Sequence, residues 1–347
     1  MPSATPPREP GFRFDATGDA SLGESGSRST IRDLMYDAQR RLTAAGVPSP
    51  KADAAWLMSW VLDVPRNRLI LQDELTSEQR VTFEKVLTKR LARIPLQHLT
   101  GQAGFRRINV SVGPGVFIPR PETELVAEAA IRFAREAHNP VVVDLCAGSG
   151  VIGISVAIEV PHSQVHLVEL DAAAIDWTRR NVDDHASPIR QAESTAQVIH
   201  ADAGAVADPG GALASLVGAV DVVVSNPPYI PDSMIPREVE VRDHDPAVAL
   251  FGGPTGLEIV QKVTRTAALL LRPGGMFVVE HADVQGPDAG TGGVVELVRS
   301  MTLDEELATM LPGRPGDLLF ESVTDRLDLA GLPRFTIATR MGRKSAP

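Results

Sequence analysis

The residues best suited to chemistry are Asn226, Pro227, Pro228 and Tyr229, which directly follow the mostly β-branched run of residues 220–224. That run predicts a buried strand, and because the two prolines end it, we expect a rigid loop at the carboxyl end of the strand. In open α/β sheets, ligands bind at this edge. The Asn226 side-chain carbonyl and the Pro227 main-chain carbonyl can accept the two N–H bonds of one planar NH2 group, with the Tyr229 ring beside them. The pattern therefore indicates a site for an amide or an amine.

A glycine-rich turn supplies a second group of candidate residues. Gly148, Gly150 and Gly153 follow another strand-like run, residues 141–145. Glycine lets the main chain approach a ligand closely, and the N–H groups at the start of the next helix point toward that ligand. Glu169 ends the following strand-like run, 19 residues after Gly150, where an acid can accept both hydroxyls of a ribose. Together these features predict a cofactor that contains a nucleoside.

Two reactions fit such a cofactor. Hydride transfer to or from a nicotinamide would require an acid or a base at a substrate carbonyl, and His98, His244 and His281 form no recognisable acid–base arrangement in the sequence. Methyl transfer from S-adenosylmethionine requires the protein mainly to position the reactants and to supply favourable electrostatics, because the sulfonium is already a good electrophile. Hydrogen bonds to Asn226 and Pro227 would hold the lone pair of an amide nitrogen toward the methyl group without a strong base. The paired acceptors therefore favour an amino or amide methyltransferase.

The N-terminal part of the chain predicts a tail and a helical domain. Residues 1–28 are rich in Pro, Gly, Ser and charge, so they predict a disordered tail. Residues 29–95 predict a small helical domain, because apolar residues recur there at helical spacing in three stretches. Thr30 and Asp33 form a capping-box-like pair at the start of the first helix.

The rest of the chain predicts a linker and a larger α/β domain. Residues 96–116 contain short strand-like pieces separated by glycines, which indicates a hairpin linker. In residues 117–347, strands alternate with helices, which predicts a doubly wound, mainly parallel sheet whose last two strands pair antiparallel. Three segments rich in small and polar residues are expected to be surface loops: 185–195, 203–217 and 283–292.

The composition is typical of a globular protein. Of the 347 residues, 43% are hydrophobic and 22% charged, and the formal net charge is −10. Non-specific nucleic-acid binding needs a cationic surface, so we expect no direct nucleic-acid partner. The single cysteine, Cys146, allows neither an internal disulfide nor a cysteine metal cluster. No apolar run approaches ~18 residues and the N-terminus lacks an apolar signal core. We therefore expect a cytoplasmic protein without a membrane partner or a metal site.

Four motifs together resemble those of the HemK-type peptide chain release factor glutamine methyltransferases, and the resemblance runs from about residue 30 to about residue 340. The motif at residues 226–229 is shared with DNA adenine and ribosomal RNA guanine methyltransferases, whereas the segment of residues 117–124 is much narrower in its distribution. The four motifs are residues 226–229, the loop of residues 144–150, residues 117–124 and the closing segment of residues 328–334.

The resemblance implies a seven-stranded class I methyltransferase fold that uses S-adenosylmethionine to methylate the side-chain amide of the glutamine in a release factor's Gly-Gly-Gln tripeptide. It implies catalytic roles for Asn226, Pro227 and Tyr229, which with Pro228 would bind the glutamine, and a helical domain that contacts the release factor. The cofactor would be bound by Asp144, Cys146, Ala147, Gly148, Ser149, Gly150, Glu169, Asp202 and Asn226.

The sequence departs from the family pattern at two of these positions and leaves some alternatives open. Cys146 replaces a glycine that is common in the family, and Glu169 stands where aspartate is more usual. A ribosomal-protein glutamine or a nucleic-acid base remains an alternative acceptor. The sequence does not identify the preferred release factor or the oligomeric state.

Overall fold

The computed structural model describes residues 30–342, so the predicted disordered tail lies outside the described residues. A bundle of three helices comes first. Thr30 caps the first helix as its sequence predicts: its hydroxyl accepts the Asp33 N–H at 3.2 Å, and the Asp33 carboxylate accepts the Thr30 N–H at 3.0 Å. Leu42, Leu57 and Phe83 pack in the centre of the bundle. The helices are α1 (Ile31–Ala44), α2 (Pro50–Leu62) and α3 (Ser77–Leu91).

A short helix and an antiparallel hairpin connect the bundle to the larger domain. The hairpin was predicted from the sequence, whereas the short helix α4 (Leu96–Thr100) was not. Strands β1 (Gln102–Phe105) and β2 (Ile108–Ser111) turn at Arg106. The Arg106 guanidinium lies 2.9 Å from Glu159 and 2.7 Å from Glu128, which ties the turn to the larger domain.

Seven strands of the described chain form one sheet, in the order β5-β4-β3-β6-β7-β9-β8. The first five in this order run parallel, and β9 lies antiparallel to both β7 and β8. The predicted seven-stranded, doubly wound methyltransferase sheet is thereby confirmed. Its strands are β3 (Val141–Leu145), β4 (Gln164–Glu169), β5 (Thr195–His200), β6 (Val220–Ser225), β7 (Leu271–Glu280), β8 (Phe320–Leu327) and β9 (Pro333–Arg340).

Helices cover both faces of the sheet. One core contains α5, α6 and α7 together with the hairpin, and the other contains α10 and α11. The nearly continuous apolar character of β3 and β6 follows from burial on both faces. The helices of the larger domain are α5 (Thr123–Ala134), α6 (Val151–Glu159), α7 (Ala172–Asp184), α8 (Ala186–Gln191), α9 (Val239–His244), α10 (Glu258–Leu270) and α11 (Val294–Ser300). Within residues 30–342, no helix is both long enough and apolar enough to cross a membrane.

The three segments predicted to be surface loops are more ordered than their composition suggests. Residues 185–195 contain α8, whose Ile189 is buried. Residues 203–217 bury Val206 and Leu213 against the sheet, and residues 283–292 form two 3-10 turns. The surface-loop prediction was wrong for the first two segments because buried apolar side chains anchor them, although their other residues are small or polar. In the third segment the buried side chain is polar: the Gln285 amide donates to the Tyr229 carbonyl at 2.9 Å.

The order of the sheet reverses between β3 and β6. The chain leaves β3 toward β4 on one side and leaves β6 toward β7 on the other. Leu145 and Ser225 are register partners at the ends of these strands, and the Ser225 hydroxyl donates to the Leu145 carbonyl at 2.7 Å. The two loops singled out in the sequence therefore lie side by side at the switch point, where a crevice forms.

Candidate active site

A cavity of about 360 Å³ lies at this switch point, which is within the size range of small-molecule sites. It collects most of the residues predicted from the sequence: Cys146, Ala147, Gly148, Ser149, Glu169, Asp202, Asn226, Pro228 and Tyr229. Asp144, Gly150 and Pro227 are buried and do not belong to the lining.

The loop of residues 144–150, which we call the glycine loop, follows an unusual backbone path. Its φ angle is positive at Cys146 (61°), Gly148 (56°) and Gly150 (82°). A left-handed conformation is unfavourable for residues with a Cβ atom, and Cys146 adopts it here. Gly153 has a packing role, since a Cβ atom there would lie 2.7 Å from the Leu167 side chain. It lets α6 lie close against β4.

Glu169 fixes this loop with both carboxylate oxygens. One accepts the Gly148 N–H and the other the Asp171 N–H, each at 2.8 Å. An ionised carboxylate has about four acceptor positions, so each oxygen keeps capacity for a ligand hydroxyl. Helix α7 binds the other side of the loop: the Thr178 hydroxyl donates to the Gly148 carbonyl at 2.6 Å, and the Asn181 amide donates to the Ser149 carbonyl at 2.9 Å.

Asp144 lies beneath the loop. It is fully buried, and its carboxylate accepts the Gly153 N–H at 2.9 Å. Burial raises the pKa of Asp144 to about 7, although this hydrogen bond opposes the rise. The contact holds the first turn of α6 against β3. Asp144 thus supports the loop from below, and its contact with the cofactor stays a prediction.

Asn226 is oriented by a residue from a distant part of the chain. Its side-chain NH2 donates to the Thr123 hydroxyl at 3.2 Å. Thr123 is almost fully buried at the start of α5 and also contributes to the cavity. Because its NH2 group donates to Thr123, the side-chain carbonyl oxygen of Asn226 stays available as an acceptor.

Tyr229 and Glu280 extend this network. The Tyr229 hydroxyl donates to the Glu280 carboxylate at 3.4 Å, and the Gln285 amide donates to the Tyr229 carbonyl at 2.9 Å. Burial raises the pKa of Glu280 to about 7, although the nearby Thr123 hydroxyl and the positive charge of Arg334 oppose the rise, and one of its buried carboxylate oxygens has no hydrogen-bond partner.

One wall of the cavity comes from residues that follow residues 226–229, which we call the acceptor loop. Glu238 and Val241, at the start of α9, belong to the lining, together with several residues of 246–251. Arg120 lies 2.5 Å from the buried carboxylate of Asp245, at the end of α9. The sequence did not indicate this wall, because its residues carry no periodic pattern and no motif.

The three histidines considered in the sequence do not form an acid–base site. Burial, together with the nearby positive groups His244 and Arg120, lowers the pKa of His98 to about 4. His281 is buried, with its Nε2 atom 2.9 Å from Asp325. Among the described residues, no group of three or more His, Cys, Asp or Glu side chains is arranged to hold a metal ion.

Comparison with known proteins identifies the family. A family model of the PrmC N-terminal domain matches residues 33–101, and a model of the methyltransferase small domain matches residues 114–240. The chain is 46% identical over 258 residues to the release factor glutamine methyltransferase of Streptomyces coelicolor, which covers 73% of this chain and 85% of that protein. The chain belongs to the release factor glutamine methyltransferase family. The Mycolicibacterium smegmatis member is 40% identical over 315 residues, with 90% of this chain and 99% of that protein covered.

A solved structure of a methyltransferase from Pyrococcus furiosus is also similar, at 17% identity and a TM-score of 0.41, covering 67% of this chain and 89% of that chain. The curated relatives confirm the family resemblance inferred from the four motifs.

The structure brings three of the four family motifs to one place. Residues 117–124 contribute Phe117, Arg120 and Thr123 to the same cavity as the glycine loop and the acceptor loop. The closing segment, residues 328–334, lies behind them, where Arg334 faces Glu280 and pairs with Asp328 at 3.0 Å. Sequence reasoning missed Thr178 and Asn181, because buried polar residues on a helix carry no signal until their partners are known.

Proposed function

We propose that this protein transfers a methyl group from S-adenosylmethionine to the side-chain amide nitrogen of the glutamine in the Gly-Gly-Gln tripeptide of class I peptide chain release factors. The names of its relatives support the substrate class. The observation that carries the chemistry is the hydrogen bond from Asn226 to Thr123, because it leaves the Asn226 carbonyl as an acceptor for a substrate N–H.

The residues of the cavity suit S-adenosylmethionine. A Cβ atom added at Gly148 would meet nothing within 4 Å, so this turn faces open space that a ligand can fill. Glu169 keeps acceptor capacity for the two ribose hydroxyls, and Asp202 lines the same cavity. When bound, the cofactor supplies an electrophilic methyl group on a sulfonium. The protein's part is to hold the acceptor nitrogen in line with that methyl group.

Asn226 and Pro227 then act on the nucleophile. An amide nitrogen is a weak nucleophile because its lone pair is delocalised into the carbonyl. Two N–H hydrogen bonds, to the Asn226 side chain and the Pro227 carbonyl, direct the lone pair toward the methyl group and stabilise the positive charge that develops on nitrogen. In that arrangement the cofactor would supply the methyl group while its sulfur keeps the S–C bonding pair, and the methylated nitrogen would release one N–H proton to water. Tyr229 packs against the glutamine.

The direct test is a methyl-transfer assay with labelled S-adenosylmethionine and purified release factor, followed by mass mapping. Label is expected on the intact factor and none on a factor whose Gly-Gly-Gln glutamine is replaced by alanine. Asn226→Ala should abolish transfer, whereas Asn109→Ala, at an exposed position of the hairpin, should leave it unchanged. Label on ribosomal protein, ribosomal RNA or DNA, with none on the release factor, would overturn the substrate assignment.

A further inference from the structure

The helical bundle reaches the wall of the cavity through three charge-assisted hydrogen bonds. Arg93, which follows α3, donates to both carboxylate oxygens of Glu240 on α9, at 2.8 and 2.6 Å. Arg90, within α3, donates to one of the same oxygens at 2.8 Å. Bidentate pairs of this kind fix geometry as well as charge. Glu240 is thus held from two directions by residues about 150 positions earlier in the chain.

This cluster is well enclosed. The side chains are only 6% (Arg90), 14% (Glu240) and 21% (Arg93) exposed. Burial opposes ionisation of Glu240, yet the hydrogen bonds from Arg93 and Arg90 hold its pKa at about 2. The carboxylate is therefore ionised throughout the physiological pH range. Among buried ion pairs, removal of one partner is strongly destabilising because the other charge is left uncompensated.

Both arginines are themselves fixed within the bundle. Arg90 donates to the Asp53 carboxylate at 2.7 Å and to the Ile94 carbonyl at 3.1 Å. Arg93 donates to the Gly46 carbonyl at 3.1 Å. These contacts connect the guanidinium groups to other parts of the bundle. The position of Glu240 is consequently determined by the whole bundle and not by one flexible side chain.

The element that carries Glu240 depends on such anchors. Helix α9 has six residues, and an isolated helix of that length is unstable in water. Val241, in its first turn, and Glu238, the residue just before it, both line the cavity. The other end is held by the pair of Arg120 with Asp245. The wall is therefore fixed at one end by the helical bundle and at the other by the family segment of residues 117–124.

We propose that Glu240 is a positioning residue through which the helical bundle sets the cavity wall against which the glutamine-bearing segment of the release factor is placed. This inference rests on the proposed function. Glu240 acts through α9 and does not contact the reacting atoms. The bundle, in addition to any contact with the release factor, shapes the active site itself. The glycine loop and Glu169 lie outside this connection, so cofactor affinity is expected to be independent of it.

The test compares Glu240→Gln with wild-type enzyme in methyl transfer to intact release factor. Misplacement of a substrate-positioning wall by about 1 Å can lower the rate about 100-fold. We expect kcat/KM to fall by about 10- to 100-fold, with a raised KM, while the Kd of S-adenosylmethionine changes less than about twofold. Arg93→Lys, which keeps the charge but loses the bidentate geometry, should give an intermediate effect.

Glu159→Gln is the matched control, because it removes a buried carboxylate that accepts from both ends of the Arg106 guanidinium, at 2.9 and 3.0 Å, outside the bundle and away from α9. Its kcat/KM should equal that of wild type. Wild-type kinetics in Glu240→Gln, even with a lowered Tm, would overturn the inference and leave the proposed function intact. If Glu240→Gln does not fold, Arg93→Gln replaces it, since Arg93 is the more exposed partner. Absence of transfer by the wild type would instead reject the proposed function.

Discussion

Thr123 provides the sharpest test of how the acceptor loop is oriented. Thr123→Val keeps the shape of the side chain and removes the hydroxyl that accepts the Asn226 NH2 at 3.2 Å. Thr123 is only 3% exposed, so water cannot readily replace the lost partner. An unsatisfied buried donor costs about 1–3 kcal/mol. The Asn226 amide can relieve part of that penalty by rotating its NH2 group toward the substrate. That NH2 group would then face the substrate NH2 group, and the acceptor that the substrate needs would be lost.

Single-turnover transfer to release factor at saturating cofactor measures this effect. A loss of about 1–3 kcal/mol of transition-state stabilisation corresponds to a rate lowered about 5- to 160-fold. Thr264→Val is the matched control: Thr264 is fully buried in α10 and its hydroxyl donates to the Val260 carbonyl at 2.7 Å. It should lower the Tm without changing the rate of the folded enzyme. A Thr123→Val rate within twofold of the wild type would refute the idea that Thr123 orients the acceptor.

Three further predictions concern charge and accessibility. Glu169→Gln should weaken S-adenosylmethionine binding about tenfold or more in calorimetry, because an amide NH2 would then face the N–H of Gly148 or Asp171; unchanged affinity would remove Glu169 from the cofactor site. The folded-state pKa of Glu280, about 7 against 4.5 in solution, means that the folded protein holds this proton more tightly. Relative to Glu280→Gln, the wild type should therefore lose up to about 3 kcal/mol of stability as the pH rises from about 4.5 to about 7, and a difference in Tm that does not vary with pH would contradict this. Burial raises the pKa of the Cys146 thiol, so it should be alkylated more slowly than a free cysteine at pH 8, and more slowly still with S-adenosylmethionine bound; equal rates with and without cofactor would argue against its place in the cavity lining.

Much of the fold could be predicted from local sequence patterns. The buried strands β3 and β6 are short β-branched runs, and both lie where those runs predict strands. The alternation of strands and helices predicted the doubly wound, mainly parallel sheet. Segments such as α8 were missed because a single buried side chain, Ile189, is enough to anchor one helical turn, and one residue gives no periodicity.

The site could be predicted only in part, for a different reason. The glycine loop and the acceptor loop are contiguous in sequence, so their residues show a pattern. The partners that orient them are distant: Thr123 is 103 residues from Asn226, and Arg90 is 150 residues from Glu240. Side-chain hydrogen bonds between such positions leave no periodic signal. The sequence therefore predicts which groups meet the substrate, but not which groups hold them in place.

The residues that hold the acceptor loop and its surroundings in place also determine how the enzyme selects its acceptor. The two prolines fix the acceptor loop, yet an amide NH2 and the exocyclic amine of a base both present two N–H bonds in one plane. Two carbonyl acceptors therefore cannot distinguish a glutamine from a base. Selection has to come from the surfaces around the loop, which here are the segment carrying Phe117 and Arg120 and the wall formed by α9. Because both surfaces are fixed by ion pairs at Asp245 and Glu240, substrate choice in this protein should respond more strongly to changes at those pairs than to conservative changes within the loop.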